Sequence, residues 1–193
     1  MMYKLILVGR LQSLRVISGL ARGLKLSSID GMETRPTLDR VKEPLFSMLM
    51  PYLNDANVLD LFAGSGALGI EAISRGALKC TFTDKNPKCV KVILDNVKKA
   101  RMEEKSIVKN ISFESFLATS KEKFDLVFLD PPYKMGLLDE ILSKLKEGHL
   151  NDDAIVAVEA DDGTNILYDG YTLLKERKYG RVKLFILQLE KEA

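Results

Sequence analysis

Short apolar runs alternate along the middle of the chain with stretches in which apolar residues recur every three or four positions. A short apolar run suits a strand buried on both faces, and the longer period suits a helix that covers it. The repeat therefore predicts strand-helix units around a mainly parallel sheet. Val58 to Phe62 reads as a strand, Ala67 to Arg75 as a helix and Cys80 to Thr83 as the next strand. Pro87 opens a helix with Val90, Ile93, Val97 and Ala100 on one face, because a first-turn residue needs no amide hydrogen. Ile107 to Phe113 reads as a weaker strand and Phe124 to Leu129 as a strong one. Leu138, Ile141, Leu142 and Leu145 predict a further helix ahead of a strand over Ala154 to Glu159. Tyr171 to Glu176 and Arg181 to Leu189 flank Gly180 and predict an antiparallel hairpin, so the sheet is expected to be mixed at one edge.

A separate unit precedes this pattern, and the chain divides into residues 1–50 and 51–193. Leu14 to Ser18 and Leu24 to Ser27 lie around Gly19 and Gly23, which predicts a small hairpin. Thr37 can cap a helix carrying Val41, Leu45 and Met48, in which Pro44 is expected to remove a hydrogen bond and introduce a kink. From Met1 to Ile29 the charged residues are Lys4, Arg10, Arg15, Arg22 and Lys25, with no acidic residue among them. A block of one sign is an electrostatic footprint for a polyanion or a solvated basic edge.

Composition narrows the classes. With 193 residues, 46% hydrophobic and 29% charged, the chain can build one sizeable core and is neither disordered nor collagen-like. No apolar run reaches the roughly 18 residues a membrane span needs. Leu5 to Val8 is too short for a signal-peptide core, so the expected compartment is the cytoplasm. Cys80 and Cys89 lack metal-ligand spacing and read as buried thiols, and no metal site is expected. The single histidine, His149, follows Gly148 in a polar segment and reads as a surface residue, which leaves a Ser-His-Asp hydrolase without support.

Candidate chemistry collects where the strands end. Asp130-Pro131-Pro132-Tyr133 follows the strong strand. Consecutive prolines hold an extended loop whose carbonyls can accept hydrogen bonds. Asp130 adds a carboxylate and Tyr133 a stacking face, a set that suits a planar heterocycle with an exocyclic amine. The same residues also read as a strand ended by a stiff loop with a surface tyrosine. Gly64-Ser65-Gly66-Ala67-Leu68-Gly69 follows one strand and opens a helix, where glycines let a ligand approach the backbone. Asp60 just before it would repel the pyrophosphate of a dinucleotide, whereas S-adenosylmethionine carries an ammonium and a sulfonium and no phosphate. Asp84 ends the second strand, where a carboxylate can accept from ribose hydroxyls. Glu114 and Ser115 follow the third strand, near where an adenine edge would lie, or are solvated turn residues.

With these residues in place, the chain resembles the Rossmann-like S-adenosylmethionine-dependent methyltransferases that modify exocyclic amino groups. More narrowly it resembles the RsmD family of 16S ribosomal RNA guanine-N2 methyltransferases. The narrower likeness rests on Arg15-Val16-Ile17-Ser18-Gly19 with Arg22-Gly23, on Thr34-Arg35-Pro36-Thr37, and on Asp39-Arg40-Val41-Lys42-Glu43 followed by Leu45-Phe46. It continues through Val58 to Gly69 and Phe124 to Tyr133, and covers about residues 15 to 190. Pro44 stands where a helix former is usual, Glu114 where aspartate is commoner, and Met1 to Leu14 precede the usual family start.

The resemblance implies an α/β fold, a mostly parallel class I methyltransferase sheet with an antiparallel C-terminal hairpin and a small N-terminal hairpin and helix. It implies S-adenosylmethionine as cofactor, held by Asp60, Ala63, Gly64, Ser65, Gly66, Asp84, Glu114, Ser115 and Arg40. Asp130, Pro131, Pro132 and Tyr133 would form the catalytic site, and Arg15, Arg22, Lys25 and Arg35 would bind RNA phosphates. The implied partner is 16S ribosomal RNA, free or in an assembling small subunit, bound by a monomer. Three other readings stay open: a DNA adenine-N6 methyltransferase sharing the Asp-Pro-Pro-Tyr chemistry, a non-catalytic RNA-binding assembly factor on this fold, and an NAD oxidoreductase, which Asp60 disfavours.

Overall fold

Alternate residues of a strand point to opposite faces of its sheet, and Val58-Leu59, Leu126-Val127 and Phe128-Leu129 are apolar in both directions. Such strands need cover on two sides. A computed structural model, which describes residues 14–28, 37–131 and 137–191 and, over 37–40, the backbone alone, supplies that cover.

The strands are β1 (Asn57–Asp60), β2 (Lys79–Asp84), β3 (Ser106–Asn110), β4 (Phe124–Leu129), β5 (Leu150–Asp161), β6 (Tyr171–Tyr179) and β7 (Val182–Leu189). The helices are α1 (Thr37–Leu49), α2 (Ala67–Ser74), α3 (Pro87–Ala100), α4 (Phe113–Thr119) and α5 (Leu137–Lys146). Together the strands form one sheet in the order β3-β2-β1-β4-β5-β7-β6. Pairing is parallel from β3 through β5, and β7 runs antiparallel to both β5 and β6. This is the expected α/β sheet with its antiparallel C-terminal hairpin.

Val58, Cys80, Phe82, Leu126 and Phe128 pack on one face against α1, α2 and α3, with Leu14, Val16 and Leu26 of the N-terminal segment in the same cluster. Leu59, Val127 and Leu129 face the other way, onto Phe116 and Leu117 of α4 and Leu138, Ile141 and Leu142 of α5. The N-terminal segment pairs as expected: Arg15 bridges Lys25 antiparallel, and Val16 N–H donates to Leu24 O at 2.9 Å. Helix α1 includes Pro44, flanked by buried Val41, Leu45, Phe46 and Leu49.

Two local expectations change. Phe113 belongs to α4 and not to a strand, because Ser112 takes an extended backbone and its hydroxyl accepts from Ser115 N–H, starting a helix. His149 is buried at 8% exposure and not on the surface. Its N–H donates to Leu145 O and its carbonyl accepts from Phe124 N–H, both at 3.0 Å, which draws the residue between the end of α5 and the start of β4.

Candidate active site at the carboxyl ends of the strands

Parallel pairing brings the ends of β1, β2 and β4 to one edge: Asp60 stands level with Phe82 and Phe128, so Asp84 and Asp130 emerge on either side of it. This is the edge at which open α/β sheets bind ligands. Asp60 is 3% exposed, and Gly69 N–H of α2 donates to its Oδ2 at 3.1 Å. Burial, with Asp130 and Asp84 adding like charge, pushes its carboxyl up to about 7 against the pull of that N–H. A carboxylate in that state is a receptacle for a cation.

Asp84 shapes the turn beside it. Its Oδ2 accepts from Gly64 N–H at 3.0 Å and its Oδ1 from Asn86 N–H at 2.8 Å. Ala63 N–H donates to Thr83 O, and Gly66 N–H returns to Ala63 O at 2.7 Å. Gly64 and Gly66 take φ of 55° and 78°, left-handed conformations that a side chain would strain. Gly69 is required for a different reason. A Cβ there would stand 2.3 Å from the Phe82 ring and 2.6 Å from Cys80 Sγ, so the glycine lets α2 lie close on the sheet.

The sequence-selected residues thus divide by place. Asp60, Ala63, Gly64, Ser65, Gly66, Asp84, Asp130 and Pro131 gather at this edge. Glu114 and Ser115 are exposed in the first turn of α4, after β3 at the same edge. Hydrogen bonding from its own backbone N–H, then from Ser112, lowers the Glu114 carboxyl below its usual range. Arg15, Arg22 and Lys25 are exposed on the N-terminal hairpin. Pro132, Tyr133, Arg35 and the Arg40 side chain lie outside the described residues, as do Lys4 and Arg10.

The hairpin is seated on Glu71 and Ser74 of α2, which the sequence did not mark. Glu71, fully buried on α2, accepts from Ile17 N–H at 2.7 Å and Ser18 N–H at 2.9 Å, and pairs with Lys42 Nζ at 3.0 Å and Arg75 Nε at 2.7 Å. Ser74 Oγ donates to Ser18 O at 2.6 Å and accepts from Ala21 N–H at 2.9 Å. A Cβ on Gly19 would fall 1.7 Å from Ser74 O, so only glycine permits this approach. Asn96, whose amide sits on the apolar face of α3, is a further such residue; a polar side chain among Ile93 and Val97 was the signal available for it. A groove lined by Leu20, Ile73, Arg101, Met102 and Lys105 lies at the C-terminal ends of α2 and α3, the opposite end from Asp60.

Residues 14–188 match the family model described as conserved hypothetical protein 95. The chain is 39% identical over 180 residues to a ribosomal RNA small subunit methyltransferase D of Haemophilus influenzae, covering 90% of this chain and 93% of that one. A putative methyltransferase from Escherichia coli superposes with a TM-score of 0.83 at 35% identity, over 93% of this chain and 99% of its own. A putative methyltransferase complexed with SAH superposes with a TM-score of 0.66 at 12% identity, over 79% of this chain and 49% of its own, a likeness of fold.

Proposed function

The chain belongs to the conserved hypothetical protein 95 family, that of the RsmD methyltransferases, and from that premise we propose that it methylates the N2 amine of a guanine in 16S ribosomal RNA, with S-adenosylmethionine as donor. The observation that carries this reading is the cluster of Asp60, Asp84 and Asp130 at one sheet edge, with Asp60 buried and its carboxyl pushed up to about 7. The donor's ammonium and sulfonium suit that cluster, and a dinucleotide's pyrophosphate does not. Relatives named as ribosomal RNA methyltransferases support RNA as the substrate.

S-Adenosylmethionine, when bound, supplies an electrophilic methyl group on sulfur. Asp60 and the turn from Ala63 to Gly66 would hold its charged end, Asp84 its ribose, and Glu114 with Ser115 its adenine edge, with Arg40 assisting. The guanine N2 amine is a weak nucleophile because its lone pair is delocalised into the ring. Asp130 and the Pro131 carbonyl would accept its hydrogens and localise that pair, Pro132 would stiffen the segment, and Tyr133 would stack on the extruded base, a contact worth about 1–3 kcal/mol. Catalysis is then mostly positioning and electrostatics. Arg15, Arg22, Lys25 and Arg35 would meet RNA phosphates.

Asp130→Ala is expected to abolish methyl transfer to 16S ribosomal RNA and to retain donor binding. Digesting the product of the native protein to nucleosides should yield N2-methylguanosine. N6-methyladenosine in its place, or full activity in Asp130→Ala, would sink the assignment.

A further inference from the structure

Asn96 faces two partners at once. It is fully buried on α3; its Oδ1 accepts from Ser27 N–H at 2.8 Å, and its Nδ2 donates to Ser27 O and to Ser65 O, each at 2.9 Å. Lys99, on the same face of the helix, donates to Ser27 Oγ at 2.6 Å. Ser27 ends the second arm of the basic hairpin, and Ser65 lies between the left-handed Gly64 and Gly66 of the turn beneath Asp60. One buried amide therefore ties the backbone of the hairpin to the backbone of the glycine turn. Among the described residues the hairpin's other side-chain attachments, at Glu71 and Ser74 of α2 and at Lys42 of α1, whose Nζ donates to Arg15 O, do not involve the turn.

We propose that Asn96 is a positioning residue that links the two binding events, so that a donor seated on the glycine turn strengthens RNA binding at the hairpin. The inference rests on the function proposed above. A ligand that orders Ser65 fixes the Asn96 amide, and the amide fixes Ser27 through two hydrogen bonds. The ordering needed by the second ligand is then partly complete when it arrives. Linkage requires the effect to be reciprocal, so RNA must strengthen donor binding by the same factor.

The test measures S-adenosylhomocysteine affinity by calorimetry and affinity for unmethylated 16S ribosomal RNA by filter binding, each with and without the other ligand. In the native protein each ligand is expected to tighten the other about fivefold, the lower end of ordinary couplings. In Asn96→Ala that factor falls to about one. Ser74→Ala loosens the hairpin elsewhere; it is expected to weaken RNA binding and keep the fivefold factor, which separates linkage from mere loss of structure. A factor of one in the native protein, or an unchanged factor in Asn96→Ala, overturns the proposal. Should the alanine variant fail to fold, amide exchange of Ser27 in the native protein decides, since S-adenosylhomocysteine must slow it and equal rates refute the link. A native protein that binds neither ligand removes the proposed function as well, whereas intact binding of both without coupling removes only the link.

Discussion

Asp60 and Glu71 are both buried carboxylates, the first bonded by an N–H of α2 and the second carried on that helix, and their surroundings are opposite in kind. Glu71 receives backbone N–H groups from Ile17 and Ser18 and the cations of Lys42 and Arg75. Asp60 receives Gly69 N–H among the described residues and has Asp84 and Asp130 for neighbours. Burial alone does not separate a structural acid from a binding one; the sign and number of the groups around it do. Glu71 is complete within the protein and fastens the hairpin, while Asp60 is held in a state that a cationic ligand would complete.

The largest expected effect tests the first half of that contrast. Glu71→Gln leaves Lys42 and Arg75 without their carboxylate, and Lys42 is 1% exposed. Removing one partner of a buried pair costs about 3–5 kcal/mol, so the urea midpoint should fall sharply. A midpoint close to that of the native protein would show that Glu71 does not carry the seat.

Asp60→Asn should move stability the other way. The Asp60 carboxyl rises from 3.8 to about 7 in the folded chain, so the folded state holds a proton that the unfolded state has lost between those values. Its contribution is thus full below about pH 4 and is lost as pH rises through 7. At pH 8 asparagine removes a buried, unneutralised charge, and the variant is expected to be more stable by on the order of 2 kcal/mol. Donor affinity, measured by calorimetry, should fall about 100-fold, near 2.7 kcal/mol. A variant that is less stable at pH 8 and binds the donor normally would erase the distinction between the two acids.

That contrast was half legible in the sequence. The strands, their parallel order and the edge at which they end follow from periodicity, and Asp60, Asp84 and Asp130 fall where strand ends must fall. Glu71 gave no such signal: on α2 it reads as one polar position, and its partners Ile17 and Lys42 are distant along the chain. Helix α4 is short and starts from a single serine cap, which a strand-like run ending in Phe113 concealed. His149 looked exposed because its neighbours are polar, yet two backbone hydrogen bonds place it inside. Local pattern reports elements, and pairing across the chain is left to tertiary structure.

The pH dependence of donor binding sharpens the Asp60 side further. A cationic group prefers the ionised carboxylate, and a carboxyl titrating near 7 is about one-tenth ionised at pH 6 and nine-tenths at pH 8. Donor affinity is therefore expected to rise about tenfold across that interval and to level off above it. The same titration on Asp60→Asn should be flat. An equal slope in both proteins would move the titrating group elsewhere.

Arg22 lies on the Glu71 side of the comparison and should show the smallest effect. It is exposed on a hairpin whose position is set from beneath, so its own contribution to the fold is slight. A phosphate contact from such a side chain is worth a few-fold in affinity at low salt and carries no base preference. Arg22→Ala should accordingly weaken binding to 16S ribosomal RNA several-fold and lower the slope of log affinity against log salt by about 0.7, the value for one contact to a single strand. Donor affinity and its pH profile should stay those of the native protein, since Arg22 touches neither Asp60 nor the glycine turn. An unchanged salt slope would mean that the seat built around Glu71 presents some other surface to the RNA. The hairpin's basic residues would then be no more than a solvated edge.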